Sequence, residues 1–219
     1  MILYTVTGKV GEEGYLDVAR SGDLTGKNIY VNMTNRCPCS CVFCLRQTKK
    51  QQEGNTLWLK DGEPEVGEVL ELFSHYDLNV IKEVVFCGFG EPLERLYDVC
   101  RVIDELKKQY PDLKVRLNTI GLANLIYGKD VTPELEGRFD TVSISLNAPE
   151  ADEFLALTRS RYGLESYEAI KEFAVLAKRY VPHVVMTVVE QVMPEEKIAR
   201  CRQICEELGV TLRVRPFEN

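Results

Sequence analysis

No stretch of this 219-residue sequence stays apolar for long. Its longest apolar runs are like VVMTVV at 184–189, far short of the roughly 20 residues a membrane span needs. The N-terminus, MILYTVTGKVGEEGYL, lacks a basic region followed by a long apolar stretch, so no secretory leader is expected. Low-complexity tracts and internal repeats are missing, and apolar residues are spread along the whole length, which excludes a long disordered arm. Positive charge is in deficit, with a net charge of −7. Non-specific nucleic-acid binding depends on neutralising phosphates, so the charge argues against it and leaves only a local basic groove open. A cytoplasmic protein with no membrane association is expected.

Cysteine, by contrast, is plentiful. Of eight in the chain, four fall in NRCPCSCVFCLR, residues 35–46. Disulfides do not persist in a cytoplasmic protein. Cys37, Cys39, Cys41 and Cys44 also lie too close together to act as long-loop bridges, the kind that stabilise most. Metal or redox use is the better reading.

The rest of the chain alternates strands with helices. Strands are expected at 28–33, 83–87, 114–118, 141–146, 183–190 and 210–215. Helices are expected at 64–76, 92–109, near 132–138, at 150–158, 166–180 and 195–208. Such alternation implies an α/β fold with a parallel sheet and right-handed crossovers. Residues 28–219 read as a single core domain, with 1–27 as an N-terminal extension packed on it. Periodicity leaves a doubly wound open sheet and an incomplete barrel both possible. Polar or special residues gather where the strands end: Cys37–Cys44, Gly88–Glu91, Asn118 to Gly121, Ser145 with Asn147, Glu190, and Arg215. In parallel α/β folds the carboxyl ends of the strands form the active face.

Cys37, Cys41 and Cys44 are spaced C-x3-C-x2-C. A structural zinc site takes four ligands, usually as two pairs. No second pair is evident: Cys201 and Cys205 sit four apart on a helix, and Cys87 and Cys100 stand alone. A thioredoxin-like pair leaves the other cysteines unexplained. Three thiolates from one loop can hold three irons of a [4Fe–4S] cluster and leave the fourth open. The non-enzymatic rival, an iron–sulfur electron-transfer or metal-binding module, predicts four fixed ligands and has no need of polar strand ends.

CPCSCVFC, with Phe43 before the last cysteine and at the end of a first strand, resembles the radical S-adenosylmethionine (SAM) superfamily. The resemblance implies a partial (β/α)6 barrel with outer helices, a [4Fe–4S] cluster on Cys37, Cys41 and Cys44, and SAM as cofactor. It places Gly88, Phe89, Gly90 and Glu91 in the segment that binds the SAM amino group. The alternative dinucleotide loop fails, because Leu93 stands where the third glycine belongs. Ser143, Ser145 and Asn147 are similar to residues that contact the SAM ribose and carboxylate, and Asn118 is a candidate for the ribose hydroxyls. Glu190 matches the adenine-binding strand, although His183 and Thr187 replace its two glycines. The implied reaction is reductive cleavage of SAM to a 5′-deoxyadenosyl radical, which takes a hydrogen atom from a substrate. It implies anaerobic handling and a flavodoxin or ferredoxin-type reductant.

NMTNRCPCSCVFCLR, VVFCGFGEPL and RLNTIGLANLIYGKDVTPEL resemble more narrowly the small radical SAM proteins associated with TatD-family hydrolases. This makes a TatD-family hydrolase a candidate partner and names no substrate. A glycyl-radical-enzyme activase and a small deazapurine-type synthase are the enzyme alternatives. Outside the motifs, Arg159 is a candidate partner for SAM's carboxylate or an anionic substrate. Arg46, Arg213 and Arg215 could build an anionic pocket. Cys100, Cys201, Cys205, His183 and Trp58 have ordinary packing explanations, Cys39 is a spare thiol that the cluster spacing does not explain, and Cys87 lies beside the SAM segment.

Overall fold

The computed structural model describes residues 1–7, 14–44, 46, 57–190 and 193–215. The chain divides into two compact units, Met1–Cys37 with Leu45–Leu117 and Pro38–Cys44 with Asn118–Asn219.

In the first unit the strands run in the order β2-β1-β3-β4-β5. They are β1 (Leu3–Val6), β2 (Tyr15–Asp17), β3 (Asn28–Val31), β4 (Glu83–Phe86) and the first residues of β5 (Val115–Thr119). β3, β4 and β5 are parallel, as the alternation implies, with Val31 opposite Phe86 and Phe86 opposite Leu117. EVVF of β4 is apolar for three residues in a row because all three are buried. Helix α1 (Val66–Ser74) starts where the Glu68 side chain accepts a bond from the Glu65 N–H. Helix α2 (Leu96–Gln109) buries Leu96, Val99, Ile103 and Leu106, one face at helical spacing.

The N-terminal extension does more than pack on the core. β1 pairs antiparallel with both β2 and β3, adding two strands at that edge. Tyr4 is the reason: its ring is buried with Leu57 and Phe89, and it stacks on Tyr30 at 5.2 Å between centroids.

In the second unit β6 (Thr141–Ser145), β7 (His183–Val189) and β8 (Thr211–Arg215) are parallel. The helices are α3 (Ala123–Tyr127), α4 (Ala151–Thr158), α5 (Glu165–Ala177) and α6 (Glu195–Leu208). α5 packs on β6 and β7, and α6 on β7 and β8. Along each strand one set of alternate residues is apolar: Val142 and Ile144, Val184, Met186 and Val188, Leu212 and Val214. The other set carries Ser143, Ser145, Thr187, Arg213 and Arg215. Strand alternation thus segregates a greasy face under the helices from a polar face opposite.

The expected helix near 132–138 is replaced by α3 and a short 3₁₀ turn, Thr132–Leu135. Gly128 ends α3 in the left-handed conformation, and Glu136 turns extended after the 3₁₀ turn, so neither piece can grow. Phe173 of α5 has no exposed surface. Phe173→Ala is expected to lower stability by about 3–5 kcal/mol, read as a shift in the urea midpoint at unchanged slope.

Candidate functional site

In the first unit the site is built on the segment that leads from β3 to Cys37. Asn35 makes two bonds to the backbone of Leu59, Nδ2 to O at 2.9 Å and N to Oδ1 at 3.2 Å. Arg36 grips Glu63 with both arms of its guanidinium, at 2.9 and 3.0 Å. The Thr34 hydroxyl donates to the same carboxylate and accepts from the Arg36 N–H. Beneath them Arg95, only 8% exposed in its side chain, donates to the carbonyls of Met33 (3.1 Å) and Pro64 (2.6 Å) and pairs with Asp98 at 2.8 Å. Burial alone would push the Glu63 carboxyl up; the bonds from Arg36 and Thr34 and the nearby guanidinium charges outweigh it and hold it below the usual carboxylate range.

GFGEP meets this segment from the other side. A Cβ on Gly90 would lie 2.2 Å from the Thr34 carbonyl oxygen and 2.6 Å from that of Arg36. The Glu91 N–H donates to the Arg36 carbonyl at 2.8 Å. A Cβ on Gly88 would fall 2.1 Å from Asn32 Oδ1. Both glycines are therefore required by close packing, quite apart from any ligand. Phe89, 6% exposed, commits its side chain to the cluster with Tyr4 and Leu57. Glu91, 4% exposed, accepts the Leu93 N–H at 3.1 Å and so caps the turn Pro92–Arg95. The Tyr4 hydroxyl donates to the Cys87 carbonyl at 3.1 Å, and burial drives this phenol far above its ordinary pKa. The Arg46 guanidinium lies 5.3 Å from the centre of the Trp58 ring.

In the second unit the loop Pro38–Cys44 hangs on the end of α4 by its main chain. Ser40 N–H donates to the Thr158 carbonyl, Val42 N–H to Leu157, and Arg161 N–H to Pro38, each at 2.9 Å. Cys44 N–H donates to the Cys41 carbonyl at 3.1 Å, closing a turn around Phe43. Arg159 ends α4 with φ 48°, and this left-handed step turns the chain so that residue 161 reaches Pro38. Its side chain is exposed, so the structure uses its backbone. Asn147 also has positive φ, 61°, and is buried after β6. These two are the non-glycine residues with positive φ among the described residues, and such strain concentrates at functional positions. Ser143 and Ser145 share one face of β6; Ser143 is buried and Ser145 half-buried. Asn118 is half-buried on β5, and Glu190 is exposed just past β7. His183 is exposed at the first position of β7, the opposite end from Glu190.

Cys37, Cys41 and Cys44 are half-buried and outside any disulfide. Thiols of this kind, at this spacing on an irregular loop, have the donor chemistry an iron–sulfur cluster needs. Among the described residues, no three His, Cys, Asp or Glu side chains are gathered closely enough to hold a metal ion. Cys39, Cys100, Cys201 and Cys205 are buried, in keeping with packing roles; burial pushes the Cys201 thiol up to about 11 and Cys205 to about 12.

Sequence reasoning missed Thr34, Asn35, Glu63 and Arg95. Glu63 sits 27 positions from Arg36 in a polar run that reads as loop, and nothing in that run marks it as a partner.

The family model of the Radical SAM superfamily matches residues 31–208. No curated protein matches the chain. Among solved structures, it is similar to a structure of TYW1 with a lysine-pyruvate adduct bound, at TM-score 0.60 and 14% identity, covering 88% of this chain and 65% of that one. It is also similar to SuiB of Streptococcus suis (TM-score 0.60, 14% identity, 90% of this chain and 41% of that one). A radical SAM methyltransferase from Sphaerobacter thermophilus matches at TM-score 0.57 and 16% identity, over 100% of this chain and 78% of that one. The chain thus spans about two thirds and two fifths of the first two. These likenesses show the fold, a mostly parallel α/β sheet with surrounding helices.

Two glycines should respond in opposite ways. Gly90→Ala is expected to cost about 1–3 kcal/mol, because its clash is with backbone. Gly67, inside α1 with nothing within 4 Å of an added Cβ, should gain about 0.5–1 kcal/mol as alanine. Urea unfolding of both variants beside the parent checks the pair; equal shifts would contradict the close approach at Gly90.

Proposed function

Because this chain belongs to the Radical SAM superfamily, we propose that it is an enzyme that cleaves SAM reductively and uses the radical to take a hydrogen atom from a substrate. The family match over residues 31–208 carries the reading. Cys37, Cys41 and Cys44 are the residues that would hold a [4Fe–4S] cluster. When bound, the cluster supplies the electron that cleaves the sulfur–carbon bond of SAM, giving methionine and a 5′-deoxyadenosyl radical.

The chain's own residues do the positioning. Glu63 and Arg95 fix the main chain that enters Cys37, and the bonds to Leu157 and Thr158 fix the loop that carries Cys41 and Cys44. In the first unit the Gly88–Glu91 segment offers backbone to the SAM amino group. In the second, Ser143, Ser145 and Asn147 offer hydroxyls and an amide to its ribose and carboxylate, with Asn118 for the ribose hydroxyls and Glu190 toward adenine.

The sequence stretches named above support placement among the TatD-associated proteins, with a TatD-family hydrolase as partner and a flavodoxin or ferredoxin-type protein as reductant. Cysteines outside disulfides suit a reducing, cytoplasmic setting. Among the described residues no helix is long and apolar enough to cross a membrane.

Anaerobic reconstitution tests the reading. Cluster-loaded, dithionite-reduced protein is expected to convert SAM to 5′-deoxyadenosine, followed by liquid chromatography and mass spectrometry. A fully loaded cluster that leaves SAM intact would sink the reading. Cys41→Ala is expected to abolish the cluster absorbance and at least nine tenths, as a rough threshold, of the 5′-deoxyadenosine formed.

A further inference from the structure

The polar face of the second unit's sheet extends past the β6 serines assigned to SAM, onto β7 and β8. In register across β6, β7 and β8, Ser145 lies opposite Thr187, and Thr187 opposite Arg213. One step further along, Val189 lies opposite Arg215. Residues in register in a parallel sheet share a face, so two hydroxyls and two guanidiniums stand on the side away from α5 and α6. The face under those helices carries no charge: Val142, Ile144, Val184, Met186, Val188, Leu212 and Val214 fill it.

Among the described residues no carboxylate lies within ion-pair distance of Arg213 or Arg215. Arg215 Nε is shut off from water and meets no hydrogen-bond acceptor among the described residues. A buried donor without an acceptor is costly, and more so when it belongs to a charged group. Guanidinium is also the side chain whose planar fork matches an oxoanion with two parallel bonds.

We infer that Arg213, in register with Thr187, and Arg215 on the same face of β8 form a binding site for a carboxylate or phosphate group of the substrate. The assignment to substrate rests on the proposed radical SAM reading; the oxoanion chemistry rests on the sheet alone. Arg215 supplies the half-buried anchor, Arg213 the exposed second cation. The substrate is thereby a small molecule, or a segment of a larger one, that carries an oxoanion. SAM's own carboxylate is the other source of the same chemistry, and the test separates the two.

The experiment titrates cluster-loaded protein with inorganic phosphate, and separately with SAM, by isothermal calorimetry at low ionic strength. Arg215→Gln and Arg213→Gln are compared with the parent, with circular dichroism and iron content confirming that each is folded and loaded. Saturable phosphate binding that weakens about tenfold or more in either variant, with SAM affinity unchanged, is the expected result. Because Arg213 is exposed, its variant remains informative if Arg215→Gln does not fold. Phosphate binding that is absent, or equal in parent and variants, overturns the site. Phosphate that competes with SAM, with both weakened by the substitutions, overturns the assignment to substrate and gives the arginines to SAM's carboxylate. If the parent makes no 5′-deoxyadenosine yet loses phosphate in Arg215→Gln, the radical reading falls and the oxoanion site stands.

Discussion

The first unit's candidate segment depends on one close approach of two backbones. Gly90 lies against the carbonyls of Thr34 and Arg36 at a distance no side chain allows. That contact lets the Glu91 N–H reach the Arg36 carbonyl, and it sets where the chain arrives at Cys37. The surrounding polar groups then follow. Arg36 is turned toward Glu63, Glu63 also takes the Thr34 hydroxyl, and Arg95 closes the underside through two carbonyls. Exposed ion pairs of this sort contribute little each. Here the bidentate geometry and the buried Arg95 make them parts of one network, so their value lies in fixing a conformation more than in adding stability.

The second unit solves the same problem differently. Its loop is held through its main chain: residues 38–42 are tied to the last turn of α4 and to residue 161. The left-handed step at Arg159 makes this geometry reachable. A glycine would adopt that φ at no steric cost, whereas arginine bears strain of order 1 kcal/mol. The strain is tolerated because Thr158, fully buried and bonded to Phe154, leaves the helix end nowhere else to go.

These differences explain what the sequence made legible. All six expected strands form, because EVVF and TVSIS carry burial directly in their residue order. The cysteine spacing, GFGEP and SLNAP are contiguous, so they can be read one residue at a time. β1 and β2 were not legible, since LYTV and YLD are too short to show a period and gain their stability from Tyr4 packing on Tyr30 and Phe89. Glu63 was invisible for a related reason: its role is a distance in space to Arg36, and a lone glutamate before a proline carries no periodic signature. Phe89 and Arg159 show a finer limit. Both are candidate site residues in the sequence, yet Phe89 commits its side chain to the core and Arg159 contributes its backbone dihedral. Sequence identity reports position well and reports poorly which part of the residue is used.

A division of labour follows from that last point. Glycine contacts, turn bonds and a left-handed arginine place the loops largely with main-chain atoms. The sheet of the second unit extends the same logic. Much of its hydrophobic free energy is gained on the face under α5 and α6, where Met186 and Val188 are fully buried. The opposite face, which also holds Val185 and Val189, carries Ser143, Ser145, Thr187 and two arginines. A protein that needed both faces for stability could not place an arginine Nε there without an acceptor. The cost of that donor is borne by burial on the other side of the same strands, which is why the polar face can be shaped by what it binds.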